Sequence, residues 1–346
     1  MRRLVIHAPL DLRVEEDVES KAFGPNDVLV RIGAGGICGS DLHYYRHGGF
    51  GTVRIKQPMV LGHEVAGTVT AVGEAVTRAR PGDRVAVNPS RPCGACDYCS
   101  AGRAHHCLDM RFYGSAMRFP HVQGAFRDVL VCHEAQAVPI ASHISLGQAA
   151  FAEPLAVCLH AVQQSGGVKG KRVLVTGCGP IGCLLILAAR FGAAREIVAT
   201  DVVEETLAIA RMIGADQAIN AAATPEKLTS FAANKGTFDV GFEASGSADA
   251  LTAAIDAVKP GSTIVQVGLS GSALPIPINL IVSKEVSLRG SFRFHEEFAE
   301  AVNAIGTGQI DVTPLLSRTV PLQEAISGFE LASDRRRAMK VQLAFD

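Results

Sequence analysis

The sequence predicts an α/β protein in two parts: a β-rich first region, then a doubly wound parallel sheet, then a tail with helical patterns. Three observations predict it. The chain has 346 residues with 48% apolar side chains, enough for two or three cores. Glycine is abundant at 35 residues while aromatics make up 5% and Trp is absent, a composition that suits many tight turns between Val-, Ile- and Ala-rich segments. Strand-like and helix-like segments alternate only through the middle of the chain.

Each element follows from its local pattern. Residues 1–147 contain short β segments such as Val28–Ile32, Gly67–Val72 and Arg84–Val87. They are bounded by the turn formers Gly24-Pro25-Asn26-Asp27 and Arg80-Pro81-Gly82-Asp83. Residues 148–289 then run strand Val173–Thr176, helix Pro180–Phe191, strand Glu196–Thr200, helix Glu204–Ile213, strand Phe238–Phe242, helix Ala248–Val258 and strand Ser262–Val267. That rhythm predicts βαβ units and a parallel sheet. Residues 290–346 carry helical patterns around His295–Ile305 and Gln323–Ser333 and end in the apolar strand Lys340–Phe345.

Composition also excludes function classes. The net charge is −1 with both signs interspersed, so no basic patch for nucleic acid or an anionic membrane is expected. The uncharged runs Val173–Ala189 and Pro260–Ser283 are interrupted by Gly and Pro and do not read as membrane spans. The opening Met1-Arg2-Arg3-Leu4 has no long apolar stretch behind it, which predicts a soluble, cytoplasmic protein. Nine cysteines, an odd number, disfavour a disulfide framework and point to metal ligation.

The strand Val173–Thr176 leads into Gly177-Cys178-Gly179-Pro180-Ile181-Gly182, a G-x-G-x-x-G turn between strand and helix. The first glycine permits the turn, the second lets backbone approach a pyrophosphate, and the third allows close helix–strand packing. The next strand ends at Asp201, nineteen residues past Gly182. A carboxylate there accepts the adenosine ribose hydroxyls and repels a 2′-phosphate. No arginine follows in Val202-Val203-Glu204-Glu205, so NAD is expected over NADP.

Cys93, Cys96, Cys99 and Cys107 have spacing C-x2-C-x2-C-x7-C. Four thiolates enclose zinc tetrahedrally as a closed structural site near residues 88–110. The bacterial iron–sulfur run places its fourth cysteine after three residues and follows it with Pro; here the gap is seven and Leu108 follows. A second set is dispersed: Cys38-Gly39-Ser40-Asp41-Leu42-His43, Gly62-His63-Glu64 and Phe151-Ala152-Glu153-Pro154. A thiolate, an imidazole and one or two carboxylates form an open zinc site if the fold brings them together. Spacing alone leaves each as an ordinary buried residue instead.

These motifs, in this order, resemble the zinc-dependent medium-chain dehydrogenases over essentially the whole chain. Within that family the sequence is most similar to the sorbitol dehydrogenase branch, because Glu153 stands where alcohol dehydrogenases place a third cysteine. Longer stretches resemble sugar-acid-oxidising members: Gly35–Tyr45, Asn88-Pro89-Ser90, Asp109–Met117, Phe151–Val157, Gly290–Phe294 and Lys340–Leu343. The resemblance implies a GroES-like catalytic domain over 1–147 completed by 290–346, a Rossmann domain over 148–289, two zinc ions per chain, NAD, and a homodimer or homotetramer.

It also implies residue roles. Cys38, His63 and either Glu64 or Glu153 would hold the catalytic zinc, with Asp41 hydrogen-bonded to the free ring nitrogen of His63. Ser40 would accept the substrate proton and pass it through the cofactor ribose to His43. Val267, Gly268, Leu269, Ser291, Phe292 and Arg293 would line the nicotinamide half. The substrate would be a small polyol or sugar acid, and a carboxylate calls for a cation away from zinc. Arg111 and Arg118 are the first candidates, though each also reads as a surface arginine; Arg293 is a weaker one, because the resemblance places an arginine there in the polyol-oxidising members too. Tyr44 either touches substrate hydroxyls or packs in the wall. The branch often carries an arginine where this chain has Thr206.

Overall fold

The computed structural model describes residues 1–16, 23–271 and 273–345. The first region holds two sheets. β1 (Arg2–Ala8) and β2 (Asp11–Glu16) pair antiparallel in a small one, and the larger one is built on the long central strand β3 (Asp27–Gly36), with helix α1 (Gly39–His47) following. Then come β4 (Glu64–Val72), β5 (Arg84–Val87), β6 (Val129–His133) and β7 (Ala137–Pro139). Alternation in β3 buries Val28, Val30 and Ile32, the pattern of a sheet with one face on the core.

Helix α2 (Ala152–Gln164) leads into the second region. That region runs β8 (Arg172–Thr176), α3 (Pro180–Phe191), β9 (Glu196–Asp201), α4 (Glu204–Met212), β10 (Gln217–Asn220), β11 (Phe238–Glu243), α5 (Ala248–Ala257), β12 (Val258–Gln266) and β13 (Ser287–Gly290). The six strands are parallel in the order β10-β9-β8-β11-β12-β13. This is a doubly wound sheet whose order reverses at β8, so its ligand crevice lies beyond the carboxyl ends of β8 and β11. Val173, Leu174 and Val175 are fully buried, the continuous apolar run expected of a strand covered on both faces. Pro180 starts α3 at its first turn, where its missing N–H costs nothing.

The tail supplies α6 (Glu297–Gly306), β14 (Leu316–Pro321), α7 (Ala325–Ala332) and β15 (Lys340–Ala344). β15 pairs antiparallel with β3, Gln342 opposite Gly36 and Leu343 opposite Gly35. The first region's larger sheet is therefore ordered β7-β5-β4-β3-β15-β14, with β6 also on β3. Chain ends meet in one core, in which Leu4, Ile6, Val341 and Leu343 pack with Val30 and Phe126.

The element boundaries depart from the sequence pattern in instructive places. The β12 strand starts at Val258, not Ser262: Val258 already pairs with Phe238, and a register irregularity at Lys259-Pro260-Gly261, where Gly261 has φ +76°, separates it from the pairing that resumes at Thr263. The helix expected from His295 begins at Glu297, whose carboxylate accepts the His295 N–H at 2.6 Å. Helix α1 lies in a segment read only as a polar cluster; Cys38 caps it, and Asp41 Oδ2 accepts the Cys38 N–H at 3.0 Å.

Candidate active site

The fold brings Cys38, His63 and Glu64 together. Their ligand atoms all lie within 4.8 Å of one another. Cys38 sits between β3 and α1, and Glu64 opens β4, paired opposite Gly36. A Cβ at Gly36 would stand 2.1 Å from Glu64 Oε2, so glycine there makes room for the carboxylate. Burial and the charge of Glu64 push the Cys38 thiol up to about 12. His63 Nδ1 is buried without a hydrogen-bond partner. A half-buried thiol with a buried imidazole and carboxylate converging in this way fits zinc, which favours S, N and O donors and stabilises the thiolate.

The expected bond from Asp41 to His63 is not made. Nδ1 stands 3.9 Å from Asp41 Oδ1, because that carboxylate is held by the backbone: Oδ1 accepts the Gly62 N–H at 3.2 Å and Oδ2 the Cys38 N–H. Asp41 thus fixes the two segments that carry Cys38 and His63. Glu153 lies in the first turn of α2, buried and outside the close cluster but within the fields of His63, Glu64 and Cys38. Burial raises its carboxyl to about 8. Sequence reasoning gave no role to Lys340, whose Nζ lies 2.7 Å from Glu64 Oε1 and 2.5 Å from Oε2, both residues buried. Ser40 and His43 are half-buried on α1. Ser40 bonds the Cys38 thiol, and burial together with His47 lowers the His43 imidazole.

The structure reorders the candidate cations. Arg118 is tied to Asp109, nine residues earlier, in a partly exposed ion pair. Arg111 and Phe112 form a two-residue strand against Ser90 and Arg91. Phe112 lies 5.5 Å from the His63 ring, so alternation turns Arg111 to the opposite side, into a cavity of about 840 Å3 behind the cysteine lobe with Asn88, His133 and His295. Neither faces the Cys38–His63 cluster. Arg293 does lie beside it: its guanidinium stacks 4.5 Å over Phe112 and 4.8 Å over Phe292. Burial pulls Arg293 down to about 10, while Glu153 and Tyr44 lift it. Among the described residues no carboxylate lies within ion-pair distance of it. Tyr44 belongs to the wall. It is buried, and its hydroxyl accepts the Ala116 N–H at 3.0 Å, pinning the loop that carries Arg118.

The Sγ atoms of Cys93, Cys96, Cys99 and Cys107 also lie within 4.8 Å of one another. Zinc–sulfur bonds of about 2.3 Å in a tetrahedron set sulfurs about 3.8 Å apart; Cys96 and Cys99 are 3.6 Å apart. The Cys93 and Asp109 N–H groups both donate to Cys107 Sγ, at 3.1 and 3.3 Å, holding that sulfur toward the other three. The donor set therefore fits a closed four-sulfur zinc site.

The nucleotide crevice opens at the ends of β8 and β9. Gly177 has φ +86° and Gly182 packs so closely that a Cβ would meet Gly177 O at 1.7 Å, while Gly179 has open space where its Cβ would be. Pro180 and Ile181 form the first turn of α3 above it. A cavity of about 540 Å3 runs from Gly177 past Asp201 to Ser245 and Ala250. This shape, with a helix N-terminus at one end and a carboxylate at the other, fits a dinucleotide. Asp201 is more engaged than expected: Oδ2 accepts the Cys178 N–H at 2.7 Å, and Oδ1 those of Val202 and Val203 at 2.7 and 3.0 Å. An arginine does reach it, not from the following residues but from the tail. Arg335 lies 3.6 Å from Asp201 Oδ2. Thr206, where the branch often has an arginine, is buried and donates to Val203 O at 2.8 Å.

At the other half of the crevice, Val267 and Gly268 donate to Glu243 O at 2.8 Å, and Leu269 is exposed. The Glu243 carboxylate is fully buried and gathers the N–H groups of Ser245 and Gly246 and the Gln266 amide. It ties together the two loops that flank the crevice, a role absent from the motif reading. Ser291 follows β13, donating its N–H to Gln266 O at 3.0 Å, and Phe292 and Arg293 continue toward Phe112.

A crevice for a dinucleotide opening toward a Cys–His–Glu cluster, with a separate four-sulfur lobe, defines a metal-dependent dehydrogenase. The comparisons with known proteins give the same class. The alcohol dehydrogenase GroES-like domain model matches residues 24–142, and the zinc-binding dehydrogenase model matches residues 180–307. L-idonate 5-dehydrogenase (NAD(P)(+)) of Escherichia coli K12 is 43% identical over 320 residues, 92% of each chain. Sorbitol dehydrogenase of Mus musculus is 34% identical over 99% of this chain and 95% of its own. The crystal structure of the E. coli L-idonate 5-dehydrogenase superposes with a TM-score of 0.95 at 41% identity, covering 99% of this chain and 98% of that one. The chain belongs to the zinc-dependent medium-chain dehydrogenase family, in its sorbitol and idonate branch. It is an NAD(P)-dependent, zinc-binding dehydrogenase of polyols or sugar acids. No helix among the described residues is long and apolar enough to cross a membrane.

Proposed function

We propose that this protein is an L-idonate 5-dehydrogenase, reversibly oxidising L-idonate with NAD to 5-keto-D-gluconate and NADH. The observation that carries the reading is the 43% identity to the E. coli L-idonate 5-dehydrogenase over 92% of each chain. Arg293, a half-buried guanidinium stacked on Phe112 beside the metal-ligand cluster with no carboxylate of its own, is compatible with it, since such a group offers a bidentate partner to the far carboxylate of a sugar acid.

Cys38, His63 and Glu64 or Glu153 would hold zinc, which would supply Lewis-acid polarisation of a substrate hydroxyl, and NAD would supply the hydride acceptor. Ser40, next to the Cys38 thiol, accepts the hydroxyl proton, and His43 on the same helix relays it to solvent. Burial lowers His43, which favours its neutral, proton-accepting form. Phe112, Tyr44 and the Asp109–Met117 loop wall the pocket against water.

The second reading is a sorbitol, L-iditol or galactitol dehydrogenase, favoured by the 34% identity to sorbitol dehydrogenase along 99% of the chain. A catalytically silent NADH-binding protein is the third, and the converged Cys38, His63 and Glu64 speak against it. NAD reduction is measured with L-idonate, sorbitol, L-iditol, galactitol and L-threonine. L-idonate is expected to give the highest kcat/KM, and Arg293→Gln to raise its KM with little change for neutral polyols. Faster turnover of a neutral polyol than of L-idonate overturns the assignment. Assembly as a homodimer or homotetramer in the cytoplasm is part of the proposal; mass by light scattering tests the first.

A further inference from the structure

We propose that Arg335 is the residue that reads the adenosine 2′ position of the cofactor, pairing with the 2′-phosphate when NADP is bound. The proposal rests on the dehydrogenase class of the protein, not on its sugar substrate.

A carboxylate at the end of the second strand ordinarily excludes NADP by charge repulsion. Here that carboxylate is not left bare. Oδ1 of Asp201 is taken by the Val202 and Val203 N–H groups, and Oδ2 by that of Cys178. The remaining approach to Oδ2 is faced by the Arg335 guanidinium at 3.6 Å. Three amides and a guanidinium spread the negative charge of Asp201 over its surroundings, which weakens the repulsion a 2′-phosphate would meet.

The two partners differ in freedom. The Asp201 side chain is 2% exposed and that of Arg335 is 50% exposed. At 3.6 Å the pair is an ion contact without a close hydrogen bond, so a half-exposed guanidinium gives up little in leaving it. Arg335 can then turn its planar fork of donors to a phosphate at the cavity mouth. The cavity has room there: Ala221, Ala222, Ala250 and Ala253 line it with small side chains. The other charged lining group is Asp249, which makes Arg335 the sole cation among the lining residues. The guanidinium is delivered by the loop between α7 and β15, from the other side of the crevice.

The test uses binding of nucleotides to the whole protein by isothermal titration calorimetry. Adenosine 5′-monophosphate and adenosine 2′,5′-bisphosphate differ only in the phosphate at issue. The parent is expected to bind both. Arg335→Gln should weaken the bisphosphate about tenfold, the value of a charge-assisted hydrogen bond, and leave the monophosphate within about twofold, which also shows that the variant is folded. Arg335→Lys should recover part of the loss. In kinetics the same variant should raise KM for NADP and not for NAD. Failure of the parent to bind the bisphosphate, an equal loss for both nucleotides, or no loss for either overturns the proposal.

Discussion

Lys340 is expected to be a principal electrostatic support of the metal-ligand cluster, and replacing it by Met tests this. Its ammonium lies 2.5–2.7 Å from the two Glu64 oxygens, with side chains 3% and 1% exposed. Burial alone would lower the lysine, but Glu64 carries it above its ordinary value. At an effective dielectric of about 20, two charges so close attract by about 6 kcal/mol. Removing the lysine also removes the cost of burying its ammonium, so the net loss falls to about 3–5 kcal/mol, the usual result of stranding one buried charge. Lys340→Met should therefore destabilise the chelator-treated protein by that amount in urea unfolding. The double variant Glu64→Gln/Lys340→Met should regain at least half, because no bare carboxylate remains. Zinc should also recover part of the loss in the single variant by giving Glu64 a new partner. Stability within about 1 kcal/mol of the parent for Lys340→Met, or a double variant no better than the single, would refute the argument.

Three further outcomes follow. Cys38→Ser should lower kcat about a thousandfold or more, since metal polarisation supplies several kcal/mol, while NADH fluorescence titration stays near the parental curve. Unchanged turnover would place the chemistry elsewhere. Metal analysis should find two zinc ions per chain, one for each cluster, and Cys93→Ser should reduce this to one while lowering thermal stability more than turnover. Glu297 is raised by burial, but the His160 ring at 2.7 Å and the His295 N–H bring it down to about 2. A depressed carboxyl contributes stability above its unfolded value near 4.5, lost as pH falls toward 2; the shift amounts to at most about 3 kcal/mol. Glu297→Gln should show a shallower acid-unfolding limb between those pH values, and a profile parallel to the parent's would argue against the pair.

Much of this was legible in the chain because local rules and global packing agree. Pro180 at the first turn and Gly192 at the end bound a helix predicted over the residues it occupies. The alternation after Arg172 gives a parallel sheet with no other reading. What was hidden depends on the third dimension. Helix α1 has a thiol for a cap and a polar sequence without a clear apolar stripe, so neither capping nor periodicity marks it. Arg335 meets Asp201 across 134 residues of chain. Lys340 reads as an ordinary residue opening an apolar strand until β15 pairs with β3 and turns it toward Glu64. Arg111 and Arg293 could not be ranked either: a two-residue strand turns Phe112 toward His63 and Arg111 away from it, and that register is set by pairing, not by sequence spacing.

The charges in the cluster explain why it calls for a dication and not merely tolerates one. Asp41, Glu64 and Glu153 are all buried, and among buried groups at the site Lys340 is the ammonium set against them. Three carboxylates against one ammonium leave an excess of two negative charges in a low-dielectric pocket. Burial answers by raising Asp41 and Glu153 and by holding Cys38 as a thiol. Holding the Glu153 carboxyl and the Cys38 thiol neutral costs the folded state, as each makes weaker hydrogen bonds than its anion. A doubly charged soft-tolerant cation removes the excess in one step and draws on the sulfur that a purely oxygen-seeking cation would leave unused. The same imbalance bears on the substrate side. With a dication committed to Cys38, His63 and a glutamate, Arg293 would be left beside the pocket without a carboxylate partner among the described residues.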